Sequence, residues 1–292
     1  MAPLAPDIAE AVSAAWHNNH GGTTIEIPTG VVASLALVRQ KPGTPDIAEQ
    51  WRAMTGEQFL KTIRWAWAGL WFVDPYLTEV AGPLHKWVDA EVPERTMHAV
   101  RAVANAAMRA GLFRVTGHAD PSLRADEDVL GHVLTWLRSH GQRKGLGEFH
   151  TPPDVSALTA RMGLLDAKDL VPGSLFSEDT AGTGGIIRAQ AQTLRNAGGD
   201  PAKMRWYMGD IDPIAVACAA INAVIWGLGP NVLCWCGDVI KDPTGPQQAL
   251  RHRRDAWTRR RNVIDSARLI HATRRAEALL RGATSPDTSG AA

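Results

Sequence analysis

Residues 178–185 read Glu-Asp-Thr-Ala-Gly-Thr-Gly-Gly, and no other stretch restricts the fold of this chain as much. A short apolar run (Leu175, Phe176) precedes them, and a helical pattern beginning Ile186-Ile187-Arg188 follows. A carboxylate at a strand end, a glycine turn and a helix start, in that order, is how α/β folds hold ligands. Glycine admits backbone conformations closed to other residues and lets a ligand approach the main chain. The first turn of the helix adds N–H groups with no intrahelical partner.

The same alternation recurs downstream. Apolar segments at Met204–Met208 and Val232–Trp235 predict two more strands, with helices over Ile186–Asn196 and Pro213–Trp226 between them. Pro213 suits a helix first turn and Gly227 a helix end. Three strands alternating with two helices give a βαβαβ unit and an open parallel sheet, so the fold class is α/β. Upstream, residues 1–117 read as a mostly helical N-terminal domain. Its candidate helices are Ile8–Trp16, Glu57–Trp71 (Phe59, Ile63, Trp67 and Leu70 at helical spacing) and Met97–Ala110, stopped by Gly111. An apolar segment, Val31–Val38, follows the breaks at Gly21-Gly22 and Pro28-Thr29-Gly30, and the tryptophans of this region are expected in the core. Residues 118–245 form the expected ligand-binding domain. It opens with a polar link from His118 to Asp128, then helices over Asp128–His140 and Pro153–Met162. Residues 246–282 read as a basic C-terminal helix and 283–292 as a disordered tail. Gln247 onward is too charged for a buried fourth strand, so a short sheet, completed by the N-terminal region or by a partner, is expected.

A net charge of +1 over 292 residues announces no polyanion-binding field across the whole molecule. Charge is concentrated instead: Arg251–Arg281 carries ten arginines against Asp255, Asp265 and Glu277. The segment reads either as a solvated surface helix or as a nucleic-acid contact, and in the second case Arg253, Arg254, Arg260 and Arg261, with the Arg143-Lys144 loop, are the candidate phosphate contacts. Cys218, Cys234 and Cys236 form neither a disulfide framework nor a CxxC pair; Cys234 and Cys236 share one face of a strand and are expected as buried free thiols, with no metal site. No apolar run approaches the roughly 20 residues that span a bilayer, and a cytoplasmic location is expected.

The glycine turn lacks the third glycine of a dinucleotide fingerprint and the Gly-Lys-Ser/Thr of a P-loop. S-adenosylmethionine (SAM) accounts for what is present. Its ammonium calls for a carboxylate near the first strand, its ribose for an acid at the second strand end, and its adenine amine for an acceptor after the third. Glu178, Asp210 and Asp238 stand at those three strand ends, on the sheet edge where ligands bind. Asp212 is a second candidate for the ribose acid.

Asp128-Val-Leu-Gly131, Gly147-Glu-Phe-His-Thr-Pro-Pro153, Glu178–Gly185, Gly209-Asp-Ile-Asp-Pro213 and Gly237-Asp238 together resemble the N6-adenine DNA methyltransferase family, in particular the modification subunits of type I restriction systems. The resemblance spans about Asp128–Asp238. It implies a Rossmann-like SAM-dependent methyltransferase domain behind a helical one, with transfer of a methyl group to adenine N6 in DNA. It also implies that Thr151 and Pro152 touch the methionine end of SAM, that Glu178, Gly182 and Gly184 cradle it, and that Asp210 and Asp238 hold ribose and adenine. DNA and a separate specificity or catalytic subunit are the implied partners.

The sequence departs from the family where His150 replaces Tyr and where Glu178-Asp179-Thr180-Ala181 replaces Asp-Pro-x-Cys. It also holds no Asn/Asp/Ser-Pro-Pro-aromatic motif after Asp238. In the family that motif accepts hydrogens from the target amine and stacks on the flipped base. The nearest match is Val73-Asp74-Pro75-Tyr76, which makes Asp74 a candidate catalytic residue, although a helix boundary at Pro75 explains the same residues. Two further readings stand beside DNA methylation. One is a non-catalytic SAM-binding, DNA-associated regulatory or partner protein; the other is methyl transfer to an acceptor other than DNA.

Overall fold

The structure, a computed structural model, describes residues 3–20, 22–41, 43–138, 151–163 and 170–283. The Arg143-Lys144 loop, Gly147–His150 and the expected tail from 284 onward lie outside the described residues.

Apolar residues three and four apart build the N-terminal helical layer. In α1 (Ala5–Asn19), Ile8, Val12 and Trp16 are fully buried and face α7 (Glu94–Arg109) and α10 (Val129–Leu137). Helix α2 (Glu26–Ala36) corrects the expected break at Pro28-Thr29-Gly30, since it runs straight through these residues. Pro28 sits in the first turn, where its missing N–H has no intrahelical partner to lose. Gly30 is needed for contact: a Cβ there would lie 1.9 Å from the Leu84 carbonyl oxygen of α6 (Gly82–His85). Asp46 caps α3 (Ile47–Ala53), and Thr55 with Gln58 forms a capping box on α4 (Gly56–Val73). Within α4, Phe59, Ile63, Trp67 and Leu70 are buried; Trp65 is exposed, so the tryptophans here are not uniformly core. Asp74 starts α5 (Pro75–Val80), and Gly111, at φ 99°, separates α7 from α8 (Leu112–Thr116). The expected link from His118 to Asp128 contains a short helix, α9 (Pro121–Arg124), capped by Asp120.

Helix α11 (Pro153–Gly163) packs on α12 (Gly185–Asn196). The three strands, β1 (Leu175–Glu178), β2 (Arg205–Asp210) and β3 (Val232–Cys236), form one parallel sheet in the order β1-β2-β3. Helix α12 connects β1 to β2, and α13 (Pro213–Ile225) connects β2 to β3. Phe176, Trp206, Met208, Val232 and Cys234 share the face that joins the main core, with the Phe176 and Trp206 rings stacked 4.6 Å apart. Tyr207 and Trp235 on the other face pack on Ala249 of α14 (Gly245–Ala283). The main core is continuous from Ala5 of α1 to Ala256 of α14, so the helical layer and the sheet share it.

No fourth strand occurs among the described residues. The outer edge of β3 is met instead by α5 of the helical layer and by α14. The fully buried Tyr76 hydroxyl accepts the Cys234 N–H (2.8 Å) and donates to the Cys234 carbonyl (2.6 Å). One phenol thus satisfies two groups that an edge strand leaves open. Helix α14, about 58 Å long at 1.5 Å per residue, is tied down by Arg253 on the Pro230 carbonyl, Arg259 on Glu79 and Arg260 on the Phe72 carbonyl. From Arg261 to Ala278 every side chain except Ile264 is exposed.

Tyr76→Phe leaves the buried Cys234 N–H and carbonyl unpaired and is expected to lower unfolding free energy by about 1–3 kcal/mol. Denaturant titration checks this, and a loss below about 0.5 kcal/mol would show that the phenol does not hold the edge.

Candidate functional site

All three parallel strands point their C-terminal ends into one cavity of about 560 Å³. Glu178 closes β1, Asp210 closes β2, and Asp238 lies two residues beyond β3; all three line this cavity. Thr151, Gly182 and Asp212 line it too. Six of the eight residues expected to hold the cofactor therefore share one space. A second cavity, of about 310 Å³, borders the same glycine turn. Thr151, Thr180, Gly182 and Ile186 border both cavities.

Asp210 organises the turn. Its Oδ2 accepts the Gly182 N–H (2.7 Å), its Oδ1 accepts the Asp212 N–H (2.9 Å), and its carbonyl accepts the Gly237 N–H (2.9 Å). The Ala181 N–H meets the Gly209 carbonyl at 2.8 Å, which lays the turn along the end of β2. Gly182 has φ 55°, and a Cβ there would find no atom within 4 Å, so its α-carbon faces open space. Gly184, at φ 94°, has the opposite surroundings. It lies outside both cavity linings, and a Cβ would come within 3.2 Å of the Met208 sulfur and the Trp226 ring. Its glycine serves packing at the start of α12. Pro152 is exposed and its carbonyl accepts the Ser156 N–H in the first turn of α11 (2.9 Å).

The acids differ in how far they are already engaged. Asp212 is buried; it caps α13 by accepting the Ile214 and Ala215 N–H groups and forms an ion pair with Arg138, whose side chain is 2% exposed. Asp210, by contrast, is half-buried, accepts main-chain N–H groups and borders the same cavity. Asp238 accepts a hydrogen bond from Lys241 at 2.9 Å, and that ammonium, helped by the Ile240 and Lys241 N–H groups, holds its carboxyl below the ordinary value. Glu178 accepts the Thr180 hydroxyl at 3.2 Å.

Asp74 lies outside the cavity linings. It is the N-cap of α5, where its carboxylate accepts the Leu77 N–H at 3.0 Å, and burial raises its pKa. The structure gives it the helix-boundary role, with the Tyr76 ring locked against β3. Asp242 is likewise a turn residue, accepting the Thr244 N–H and hydroxyl ahead of α14. Among the thiols, Cys218 and Cys234 are buried, whereas Cys236 is exposed at the end of β3, a correction to the expectation of buried thiols at Cys234 and Cys236. Among the described residues no cluster of three or more His, Cys, Asp or Glu could hold a metal ion, and no helix is long and apolar enough to cross a membrane. Of the candidate phosphate contacts, Arg254 and Arg261 are exposed, whereas Arg253 and Arg260 bond main-chain carbonyls of the protein itself.

Arg138 escapes sequence reasoning because its partner is 74 residues away. The same holds for Tyr76, 158 residues from Cys234. No local pattern carries either pairing.

Gly184→Ala forces a left-handed conformation on a side-chain-bearing residue, expected to cost about 1–2 kcal/mol before the contacts with Met208 and Trp226 are counted. Gly185→Ala, with open space and no positive φ, is expected to be neutral or to stabilise by about 0.4–1 kcal/mol. Thermal unfolding of both variants decides it; equal melting temperatures would contradict the packing account.

Residues 125–250 match the model of the N-6 DNA Methylase family. The resemblance to N6-adenine DNA methyltransferases drawn from the motifs is thereby shown over the segment that carries them. The chain also aligns with the crystal structure of the type I restriction-modification system methyltransferase subunit from Streptococcus thermophilus. The identity is 14% and the TM-score 0.45, over 82% of this chain and 59% of that one. This chain thus spans 59% of that subunit's length. No curated protein matches it.

Proposed function

We propose, from the match of residues 125–250 to the N-6 DNA Methylase family model, that the chain binds SAM at the strand ends and serves methyl transfer to adenine N6 in DNA. The observation that carries this reading is the convergence of Glu178, Asp210 and Asp238 with the Gly182 backbone on one cavity of about 560 Å³. The residues present fit the cofactor. Its charges and hydroxyls call for acceptors at three separated points, and the open space at Gly182 is a place where a Cβ would intrude on a ligand. Glu178 and the segment at Thr151 and Pro152 would hold the amino-acid end, Asp210 the ribose and Asp238 the adenine, in a Rossmann-like arrangement. When bound, SAM supplies a sulfonium methyl group for in-line transfer to an exocyclic amine.

What this chain's residues do is bind and orient. Asp210 fixes the turn while keeping acceptor capacity, because each carboxylate oxygen takes more than one hydrogen bond. The Arg138–Asp212 pair occupies the neighbouring acid. Arg254, Arg261 and the further arginines of α14, with Arg143 and Lys144, supply phosphate contacts to DNA.

A second reading is favoured by one observation: the chain's Pro-aromatic segment, Pro75-Tyr76, is buried in the fold rather than presented to the cavity. The acceptors for the adenine amine then come from a separate catalytic or specificity subunit. Without such a subunit the chain is a non-catalytic SAM-binding partner.

Calorimetric titration of SAM into the parent and into Asp238→Ala tests the pocket. Binding that the variant weakens by about 1–3 kcal/mol is the expected result. Equal affinity would remove Asp238 from the site, and no binding by the parent would remove the cofactor reading. Methyl label from SAM, followed into DNA with and without a partner subunit, separates the enzyme reading from the binding-protein one.

A further inference from the structure

We infer that Asp128 is a positioning residue, which holds the cofactor turn in place through Thr183 without itself lining the large cavity. The inference rests on the proposed use of that turn for a cofactor. In Gly182-Thr183-Gly184-Gly185, Thr183 carries the one side chain. Gly182 and Gly184 both have positive φ, and glycine has little conformational preference of its own. A turn of this composition needs outside anchors to hold its shape beside a ligand, and Asp210 supplies one at the Gly182 N–H.

The second anchor is a buried carboxylate at the start of α10. Asp128 Oδ1 accepts the Gly131 N–H at 2.9 Å, which is an ordinary helix cap. The same group also reaches two other elements. Its Oδ2 accepts the Thr183 hydroxyl at 2.7 Å, and its Oδ1 accepts the Asn222 side-chain amide of α13 at 2.9 Å. The Asn222 amide donates in addition to the Thr183 carbonyl at 2.9 Å. Thr183 is thus held through side chain and main chain together. Asp128 and Thr183 are 7% exposed and Asn222 is 1% exposed, so water competes little for these bonds.

Gly131 shows how closely the parts approach. A Cβ there would lie 2.3 Å from Asp128 Oδ2 and 2.6 Å from the Thr183 hydroxyl oxygen. The Asp128-x-x-Gly131 spacing therefore does two things: it caps a helix and clears the space in which that cap reaches the turn. Helix α10, the glycine turn and α13 meet at one carboxylate, which couples the helical layer to the proposed cofactor site.

Amide hydrogen exchange on the ligand-free protein, with SAM calorimetry in parallel, tests this. Thr183→Val removes the hydroxyl with little change of shape, and Thr183→Ser restores it. Exchange at Gly182–Gly185 is expected to rise about tenfold in Thr183→Val, the size of one net hydrogen bond, while α7 amides stay unchanged. Thr183→Ser should stay within about twofold of the parent, and SAM affinity should follow the same order. Asp128→Ala should reproduce the Thr183→Val effect on the turn, with the double variant no worse than Asp128→Ala alone. Unchanged turn exchange in Thr183→Val, or a Ser variant that behaves like Val, would overturn the inference. A parent that binds no SAM, yet shows the expected exchange pattern, supports the anchor and overturns the cofactor reading instead.

Discussion

Asp210 joins three chain segments that would otherwise end independently. Its side chain takes the glycine turn after β1 and the turn into α13, and its carbonyl takes the backbone leaving β3. Parallel strands need long crossovers, so the loops at their C-terminal ends come from distant parts of the sequence and have no local reason to converge. One carboxylate at the middle strand brings them together. The cavity at the sheet edge depends on that junction, because Glu178, Gly182 and Asp238 sit on the segments it connects.

The helical layer completes a sheet that is too small to stand alone. Three strands leave two edges and two faces to cover. Tyr76 caps the β3 edge, α13 covers one face, and the first turns of α14 cover Tyr207 and Trp235 on the other. The Tyr207 hydroxyl, buried with no hydrogen-bond partner among the described residues, is pushed up to about 12 by that enclosure. Asp128 and Arg138, at the two ends of α10, then reach the glycine turn and the cap of α13 respectively. Layer and site are thus one polar and apolar continuum. A substitution in the helical layer can therefore alter the cavity.

The parts legible in the sequence were those with local signatures. Strand ends marked by Glu178 and Asp210, the glycine turn, the Pro213 helix start and the long basic helix all depend on short-range backbone preferences. Pro28-Thr29-Gly30 reads as a break because the same residues serve a loop or a helix first turn, and only the packing of Gly30 on Leu84 decides between them. In sequence Asp212 is as available as Asp210; the buried Arg138, which pairs with it, is 74 residues away. Cys236 shares a face with buried Cys234 but lies at the strand's open end, a distinction alternation does not carry. Asp128 was visible as part of a motif, yet its reach to Thr183 and Asn222 is tertiary.

The most direct test of the central claim is an NMR titration with SAM that follows the amides of Gly182, Asp212 and Gly237, one on each segment joined by Asp210. Saturable shifts at all three together are the result this account predicts. Shifts at none of them, or only at sites remote from the strand ends, would contradict it.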